Sequence, residues 1–234
     1  MTFKIFNLFK RKPIIKAKYK SPVLNKGTVE ITPARANDVH KITFLKKGRK
    51  SEYYVKNLHG YTPVMEKKLF EKLLHAGLNV EDTHKLGENQ ISKSLGKIVW
   101  NYSFKNADER KRFLRNLGIL VGKMHNLDVS HGHLHSKNIT WDGKRAGIID
   151  SKLAEPHSVD WEPTNKDVSR ICGSRAINDY KRIMFHHIER DIGENIPLTQ
   201  KEKNQLIKRV VNQYSRLSKQ EKVNLIEELK TTLK

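Results

Sequence analysis

Residues 131–138, HGHLHSKN, constrain the fold of this chain more than any other feature. The apolar run Ala146-Gly147-Ile148-Ile149 follows them and ends at Asp150. Between the two stretches, an Asp-Gly pair separates short runs of strand-forming residues, which predicts a small β-hairpin. The chain is therefore expected to pass from a polar loop through a hairpin to a carboxylate at the end of a strand.

The segments before this loop predict a definite order of elements. A run of apolar residues at helical spacing predicts a buried amphipathic helix that leads into the loop: Phe113, Leu114, Leu117, Leu120, Val121 and Met124. Further upstream, residues 52–56 (EYYVK) predict a strand that ends in Lys56. Residues 65–80 predict a helix with Glu66 in its first turn and Gly77 as its stop signal.

The loop resembles the catalytic loop of the protein-kinase-like superfamily. Protein kinases have the pattern H-R-D-L-x-x-x-N, and the lipopolysaccharide kinase and aminoglycoside-phosphotransferase-like families often have H-G-D-L-H-x-x-N. The stretch HGHLHSKN matches the second pattern except that His133 stands where those families have the base Asp. The resemblance covers roughly residues 31–190 and implies an α+β, two-lobed kinase-like fold. It implies a basic arm over 1–30, a strand-rich N-lobe over 31–100 and a helical C-lobe over 101–234.

The resemblance also implies roles for particular residues. Lys56 would hold the phosphates of ATP and pair with Glu66, or else with Glu71. Asn138 and Asp150 would bind Mg²⁺, and His133 would orient the acceptor hydroxyl, which belongs to a glycan of lipopolysaccharide type or to another alcohol. Asp167 would open the helix under the loop and accept a hydrogen bond from the loop's backbone.

The phosphate-covering turn of kinases is missing from the expected place. Residues 29–44 contain no glycine, although glycine lets the backbone approach a phosphate closely. Small Ala34 and Ala36 would take over part of that role, with Arg35 supplying charge to the nucleotide. Weak nucleotide binding is the other reading of this stretch.

Several alternatives stay open at the level of the sequence. The chain is either an active phosphotransferase or a pseudokinase that binds a nucleotide or a partner, and His133 favours the second. A basic nucleic-acid or membrane-surface protein on a kinase-like scaffold is a third reading. The His-x-His-x-His run could bind zinc if it were an extended strand. Lys56 could be an ordinary surface lysine, and Asp150 an ordinary turn residue.

The charge of the chain predicts polyanionic partners. With 46 Lys and Arg against 25 Asp and Glu, the formal net charge is +21, which attracts nucleic acid, anionic lipid or phosphorylated glycans. A solvated basic surface explains the same charge, and no zinc-finger or RNP motif is present in the sequence. The first 12 residues interleave aromatic and basic side chains, which predicts attachment to an anionic membrane surface. A disordered or packed arm is the alternative.

The remaining composition bears on the compartment and on the C-terminal region. Cys172 is the single cysteine, and no apolar run is long enough to span a membrane, so a cytoplasmic protein is expected.

After residue 197, two apolar stripes predict helices that cover the core rather than bind a partner. The first stripe is Leu206, Ile207, Val210, Val211, Tyr214 and Leu217, and the second is Val223, Ile226 and Leu229.

Overall fold

A computed structural model describes residues 15–19, 27–33, 39–46, 49–57, 64–86, 89–150, 155–156, 179–183, 189–191 and 194–233 of the protein. The chain divides into two compact units. The first takes its residues from 1–62 and 82–94, and the second from 63–81 and 95–234. Antiparallel sheets and helices together confirm the predicted α+β class.

The first unit contains one six-stranded antiparallel sheet in the spatial order β1-β2-β3-β4-β6-β5. Its strands are β1 (Ile15–Tyr19), β2 (Gly27–Pro33), β3 (Val39–Lys46), β4 (Arg49–Asn57), β5 (Thr83–Leu86) and β6 (Asn89–Lys93). Strand β4 lies between β3 and β6, which confirms the strand predicted over residues 52–56. Val55 is buried, and the exposed Lys56 follows it on the opposite face, as the alternation of a strand requires.

Among the described residues, the second unit contains the helices and three small sheets. The helices are α1 (Val64–His75), α2 (Ala107–Asn126), α3 (Gln200–Val211) and α4 (Lys219–Thr232), and residues 179–183 are also helical. In the first small sheet, β9 (Ile139–Trp141) pairs with β7 (Lys97–Ile98) and with β10 (Ala146–Ile148). In the second, β8 (Val129–Ser130) pairs with β11 (Glu155–Pro156). In the third, β12 (Glu189–Asp191) pairs with β13 (Glu194–Ile196).

Gly77 ends helix α1 as the sequence predicts. It has a φ of 75°, a left-handed conformation that glycine adopts without strain. Its N–H bonds to the carbonyl of Leu74 at 2.8 Å, and the N–H of Leu78 bonds to the carbonyl of Leu73 at 3.0 Å. These two bonds form a Schellman motif, which satisfies carbonyl groups that a helix end would otherwise leave unpaired.

Helix α2 is the buried helix predicted before the loop. All six apolar residues of the predicted stripe are buried: Phe113, Leu114, Leu117, Leu120, Val121 and Met124. Helix α3 crosses α2 closely at two glycines, because a Cβ atom at Gly118 would lie 2.9 Å from Cβ of Arg209. A Cβ atom at Gly122 would overlap the carbonyl oxygen of Val210. The contact between these helices therefore depends on the absence of side chains at two positions of α2.

A buried carboxylate anchors the start of helix α2 to the hairpin. Glu109 lies in the first turn and accepts hydrogen bonds from the N–H of Lys105 (2.8 Å), the hydroxyl of Tyr102 (2.8 Å) and the indole of Trp141 (3.0 Å). The Lys105 N–H lowers the pKa of Glu109, burial raises it, and the other two bonds lower it, so it stands below its ordinary value. Burial and the adjacent carboxylate raise the pKa of Tyr102 to about 12.

The C-terminal helices confirm the first predicted stripe and correct the second. All six residues from Leu206 to Leu217 in the first stripe are buried. In α4 the buried residues are Leu225, Ile226 and Leu229, whereas Val223 is 48% exposed. At about 100° per residue, Val223 lies roughly 100° around the helix from the middle of the buried stripe. The prediction that Val223 belongs to the core was therefore wrong.

No helix in the described part of the chain is both long enough and apolar enough to cross a membrane. The N-terminal 12 residues, on which the prediction of membrane attachment rests, lie outside the described residues. Cys172 lies outside them as well.

Candidate active site

The predicted loop lies between β8 and β9 in the second unit. The preceding helix α2 ends at Asn126, and the hairpin β9–β10 follows with Asp142 and Gly143 in its turn. The side chain of Asp142 accepts the N–H groups of Lys144 and Arg145 at 2.7 and 2.6 Å, and Gly143 has a φ of 93°. The helix, loop and hairpin predicted from the sequence are thus all confirmed.

The first histidine of the loop, His131, is fully buried. Its Nδ1 accepts the backbone N–H of His133 at 3.2 Å, so Nδ1 carries no proton. Its Nε2 faces the carbonyl oxygen of Ile149 at 2.9 Å, and a carbonyl only accepts, so Nε2 carries the proton. One imidazole thus connects the turn at His133 to the strand end that leads to Asp150.

A buried aspartate, Asp179, binds the backbone at the start of the loop. Oδ2 of Asp179 accepts the backbone N–H of His131 at 2.8 Å and lies 3.2 Å from Nε2 of His125 on helix α2. Nδ1 of His125 lies 3.0 Å from the hydroxyl of Tyr214, which lies 2.9 Å from that of Tyr180. The four side chains are buried, so the start of the loop is fixed to α2 and to the chain after α3.

Asp179 has the contact that the sequence predicted for Asp167. Residue 167 lies outside the described residues, whereas Asp179 lies in the helical residues 179–183 and accepts a hydrogen bond from the loop. Both aspartates begin the same five-residue pattern, in which Val or Tyr follows the Asp, Arg is the fourth residue and Ile is the fifth. The pattern that predicts an aspartate bonded to the loop therefore occurs twice in the sequence, and the local sequence does not show which aspartate makes the contact.

Asn138 is buried at the end of the loop, and its side-chain orientation is set by one hydrogen bond. Its Nδ2 donates to the carbonyl oxygen of His133 at 3.0 Å. Its backbone N–H donates to the carbonyl of His135 (2.8 Å), and its carbonyl accepts the N–H of Ile149 (2.9 Å). Since Nδ2 points to His133, the amide oxygen is the atom on the other side of the group.

Asp150 has a backbone conformation that few residues other than glycine adopt. Its φ is 66°, in the left-handed region. Its N–H donates to Oε2 of Glu81 at 2.7 Å. Asp150 is partly exposed and comes directly after Ile149, whose N–H bonds to Asn138. The structure thus makes Asn138 and the segment that ends in Asp150 hydrogen-bonded neighbours.

His133, the residue in place of the expected base, is partly exposed. Its ring packs edge to face against His135, with 4.3 Å between the ring centroids. Its carbonyl accepts hydrogen bonds from the N–H of His135 (3.0 Å) and from Asn138 (3.0 Å). The backbone of His133 therefore belongs to the hydrogen-bonded frame of the loop.

The remaining predicted site residues lie elsewhere or outside the described residues. Lys56 lies in the first unit on strand β4, opposite Val39 and Gln90. The backbone of Glu66 lies in helix α1 of the second unit, and its side chain is outside the described part of the protein. Arg35 is likewise outside the described residues. The pairing of Lys56 with Glu66 and the phosphate contact of Arg35 stay predictions.

The zinc alternative does not agree with the geometry of the loop. Both ring nitrogens of His131 are used in hydrogen bonds to the backbone, so this imidazole has no nitrogen left for a metal. Among the described residues, no group of three His, Cys, Asp or Glu side chains is placed to hold a metal ion.

The donor set of Asn138 and Asp150 suits magnesium. An amide oxygen and a carboxylate are hard oxygen ligands, and Mg²⁺ takes one or two such ligands and completes its shell with waters and phosphate oxygens. The fixed direction of the Asn138 amide leaves its oxygen, not its nitrogen, for such a cation. The donor atoms of Asn138 and Asp150 therefore fit Mg²⁺ by their chemical type.

Comparisons with known proteins find likenesses among solved structures but none among sequences. No model of a known family matches this sequence, and no curated protein matches it either. A solved structure of WaaP in complex with acyl carrier protein superposes with a TM-score of 0.45 and 12% sequence identity. The superposition covers 87% of this chain and 86% of that chain. A likeness this distant transfers no activity and no ligand to the present protein.

Proposed function

We propose that this chain is an ATP-dependent phosphotransferase of the kinase-like type that acts on a hydroxyl acceptor. The observation that carries the proposal is the hydrogen-bonded frame joining His133, Asn138 and the segment that ends in Asp150. Phosphoryl transfer depends mainly on positioning and on neutralising charge, so a rigid frame around the magnesium ligands is its principal requirement.

Each residue then has a distinct task. Asn138 and Asp150 would hold Mg²⁺, which would supply the positive charge that neutralises the phosphates of ATP. Lys56 holds phosphate oxygens, with Glu66 as its partner and Arg35 as a further cation. We keep the lobe boundaries of 31–100 and 101–234 as part of this proposal. The acceptor is a hydroxyl group on a glycan of lipopolysaccharide type or on another alcohol.

His133 orients the acceptor hydroxyl. A neutral imidazole accepts a hydrogen bond from a hydroxyl and takes up its proton, although it does not supply the negative charge of a carboxylate. A general base contributes about 10²–10⁴-fold to such reactions, so transfer with a different base is slower but not abolished.

A pseudokinase that binds nucleotide without transfer is the second candidate. The specific observation that favours it is the imidazole at position 133, where the resembling families have aspartate. Both candidates require magnesium-dependent nucleotide binding. They differ only in whether the phosphoryl group is transferred to an acceptor. Nucleotide binding and phosphoryl transfer are therefore tested separately.

Transfer is tested by ATP turnover with glycan, lipid and protein acceptors. We expect His133→Ala to lower turnover by about tenfold or more with little change in ATP affinity, since a base acts in the transition state. His84→Ala, which removes a histidine with a 70% exposed side chain, is the control. A parent protein no faster than Asp150→Asn with every acceptor contradicts transfer. Turnover that appears only in His133→Asp identifies a pseudokinase.

A further inference from the structure

The strand end at Asp150 departs from regular pairing in a way that points to Glu81. Residues 79–81 run parallel to β10, with a bridge between Val80 and Ile148. The N–H of Ile148 bonds to the carbonyl of Asn79 at 3.1 Å, and the N–H of Glu81 bonds to the carbonyl of Ile148 at 2.8 Å. The next bond of a parallel ladder would run from the N–H of Asp150 to the main-chain carbonyl of Glu81.

That bond is made to a side chain instead. The N–H of Asp150 donates to Oε2 of the Glu81 carboxylate at 2.7 Å. The carboxylate thus replaces the carbonyl and ends the ladder, and Asp150 leaves the strand with a φ of 66°. A residue other than glycine is strained in this left-handed region, although Asp tolerates it better than most residues do. A short hydrogen bond to a carboxylate oxygen is strong enough to hold such a conformation.

We propose that Glu81 is a positioning residue of the candidate active site. Its carboxylate accepts the N–H of Asp150 and holds that residue in the left-handed conformation, from which the Asp150 side chain would bind Mg²⁺. The magnesium part of this inference rests on the proposed function. The hydrogen bond and the backbone conformation do not.

Two substitutions of Glu81 separate hydrogen bonding from charge. In Glu81→Gln the amide oxygen still accepts the N–H of Asp150, whereas Glu81→Ala removes the acceptor. A positioning role therefore predicts rescue by glutamine. A role as a direct magnesium ligand predicts that both variants lose function, because an uncharged amide binds Mg²⁺ more weakly than a carboxylate.

The first measurement is amide hydrogen exchange in the full-length protein without nucleotide. In Glu81→Ala the Asp150 amide should exchange about 10–100-fold faster, since the lost bond has a charged acceptor. In Glu81→Gln the change should stay within about threefold. The amides of Ile148 and Val121 should remain protected in both variants, which shows that the fold is intact. Equal exchange of the Asp150 amide in the wild type and Glu81→Ala overturns the inference.

The second measurement is the magnesium-dependent part of ATP affinity. Glu81→Ala should lower it by about tenfold, Glu81→Gln should keep it within about threefold, and Glu227→Ala, an exposed glutamate paired with Lys230, should leave it unchanged. In an Asp150→Asn background, Glu81→Ala should add nothing, because it acts through Asp150.

Loss in both single variants overturns the positioning role and assigns Glu81 to the metal. A wild type with no magnesium dependence overturns the proposed function. In that case the exchange contrast alone decides whether Glu81 fixes the backbone of Asp150.

Discussion

The side-chain amide of Asn138 donates to the carbonyl oxygen of His133 at 3.0 Å, across the turn of the candidate catalytic loop. This bond fixes which end of the amide faces the loop and which end faces away. It also connects the residue that would bind magnesium to the residue that would face the acceptor. The geometry of one side chain therefore depends on the main chain of the other.

Replacing Asn138 with aspartate should destabilise the protein. The variant removes the donor and places a carboxylate oxygen near the carbonyl of His133, at a cost of about 1–3 kcal/mol in the free energy of unfolding. Urea denaturation at neutral pH measures it. Asn224→Asp is the matched control, because Asn224 is exposed and accepts a hydrogen bond from Gln220 through Oδ1, which aspartate retains. Equal stability of both variants contradicts the role of the Asn138 amide.

Replacing Glu109 with glutamine should destabilise the protein in a pH-dependent way. One end of the amide would bring a donor against the Lys105 N–H or the Tyr102 and Trp141 donors, costing about 1–3 kcal/mol at pH 7. The pKa of Glu109 is lowered on folding, so its contribution is present above the ordinary value of 4.5 and is lost as the pH falls through the lower folded pKa.

The difference between the wild type and Glu109→Gln in urea denaturation should therefore shrink below about pH 4. A difference that grows as the pH falls would contradict the lowered pKa of Glu109. The Glu227→Gln variant, with an exposed carboxylate, controls for general effects of charge.

Replacing Gly122 with alanine should destabilise the protein although alanine favours helices. In an exposed helix the change would stabilise by up to about 1 kcal/mol. Here the new Cβ would overlap the carbonyl oxygen of Val210 and come within 2.8 Å of Cβ of Gln213, so helix α3 would have to move. Thermal unfolding measures the effect, with the exposed Lys123→Ala as control. A gain in stability for Gly122→Ala would show that α2 and α3 do not pack as described.

The corrected face of helix α4 gives a further test. Leu225→Ala should cost about 2–5 kcal/mol, because Leu225 is fully buried. Val223→Ala should change stability by no more than about 0.5 kcal/mol, since Val223 is half exposed. Chemical denaturation of the two variants compares them directly. A larger loss of stability for Val223→Ala than for Leu225→Ala would show that Val223 lies on the buried face of the helix, as the sequence predicted.

The sequence predicted the elements whose signals are local. Helix α2, the hairpin β9–β10 and the stop at Gly77 each have a periodic pattern or a turn residue that needs no distant partner. The second stripe was misread because Ile226 and Leu229 belong to the buried stripe and Val223 also lies at helical spacing from them. Only Leu225 and the buried Leu233 show which phase of the helix faces the core.

The contacts that hold the site are long-range, and the sequence alone did not show them. Glu81 and Asp150 are 69 residues apart, and Asp179 reaches His131 across 48 residues. No local pattern distinguishes Glu81 from other glutamates, and Asp179 shares its pattern with Asp167. Such pairs appear only when the parallel bridge at Val80 and the helical residues 179–183 bring them together.

We propose that Asp150 and Asn138 form a magnesium–nucleotide site, and calorimetric titration of ATP with and without Mg²⁺ tests this most directly. We predict that Mg²⁺ tightens ATP binding to the wild type and that Asp150→Asn removes most of this gain, by about tenfold or more, because an amide replaces the charged ligand. ATP binding to Asp150→Asn that keeps the full magnesium dependence of the wild type would contradict the assignment of Asp150 to the metal.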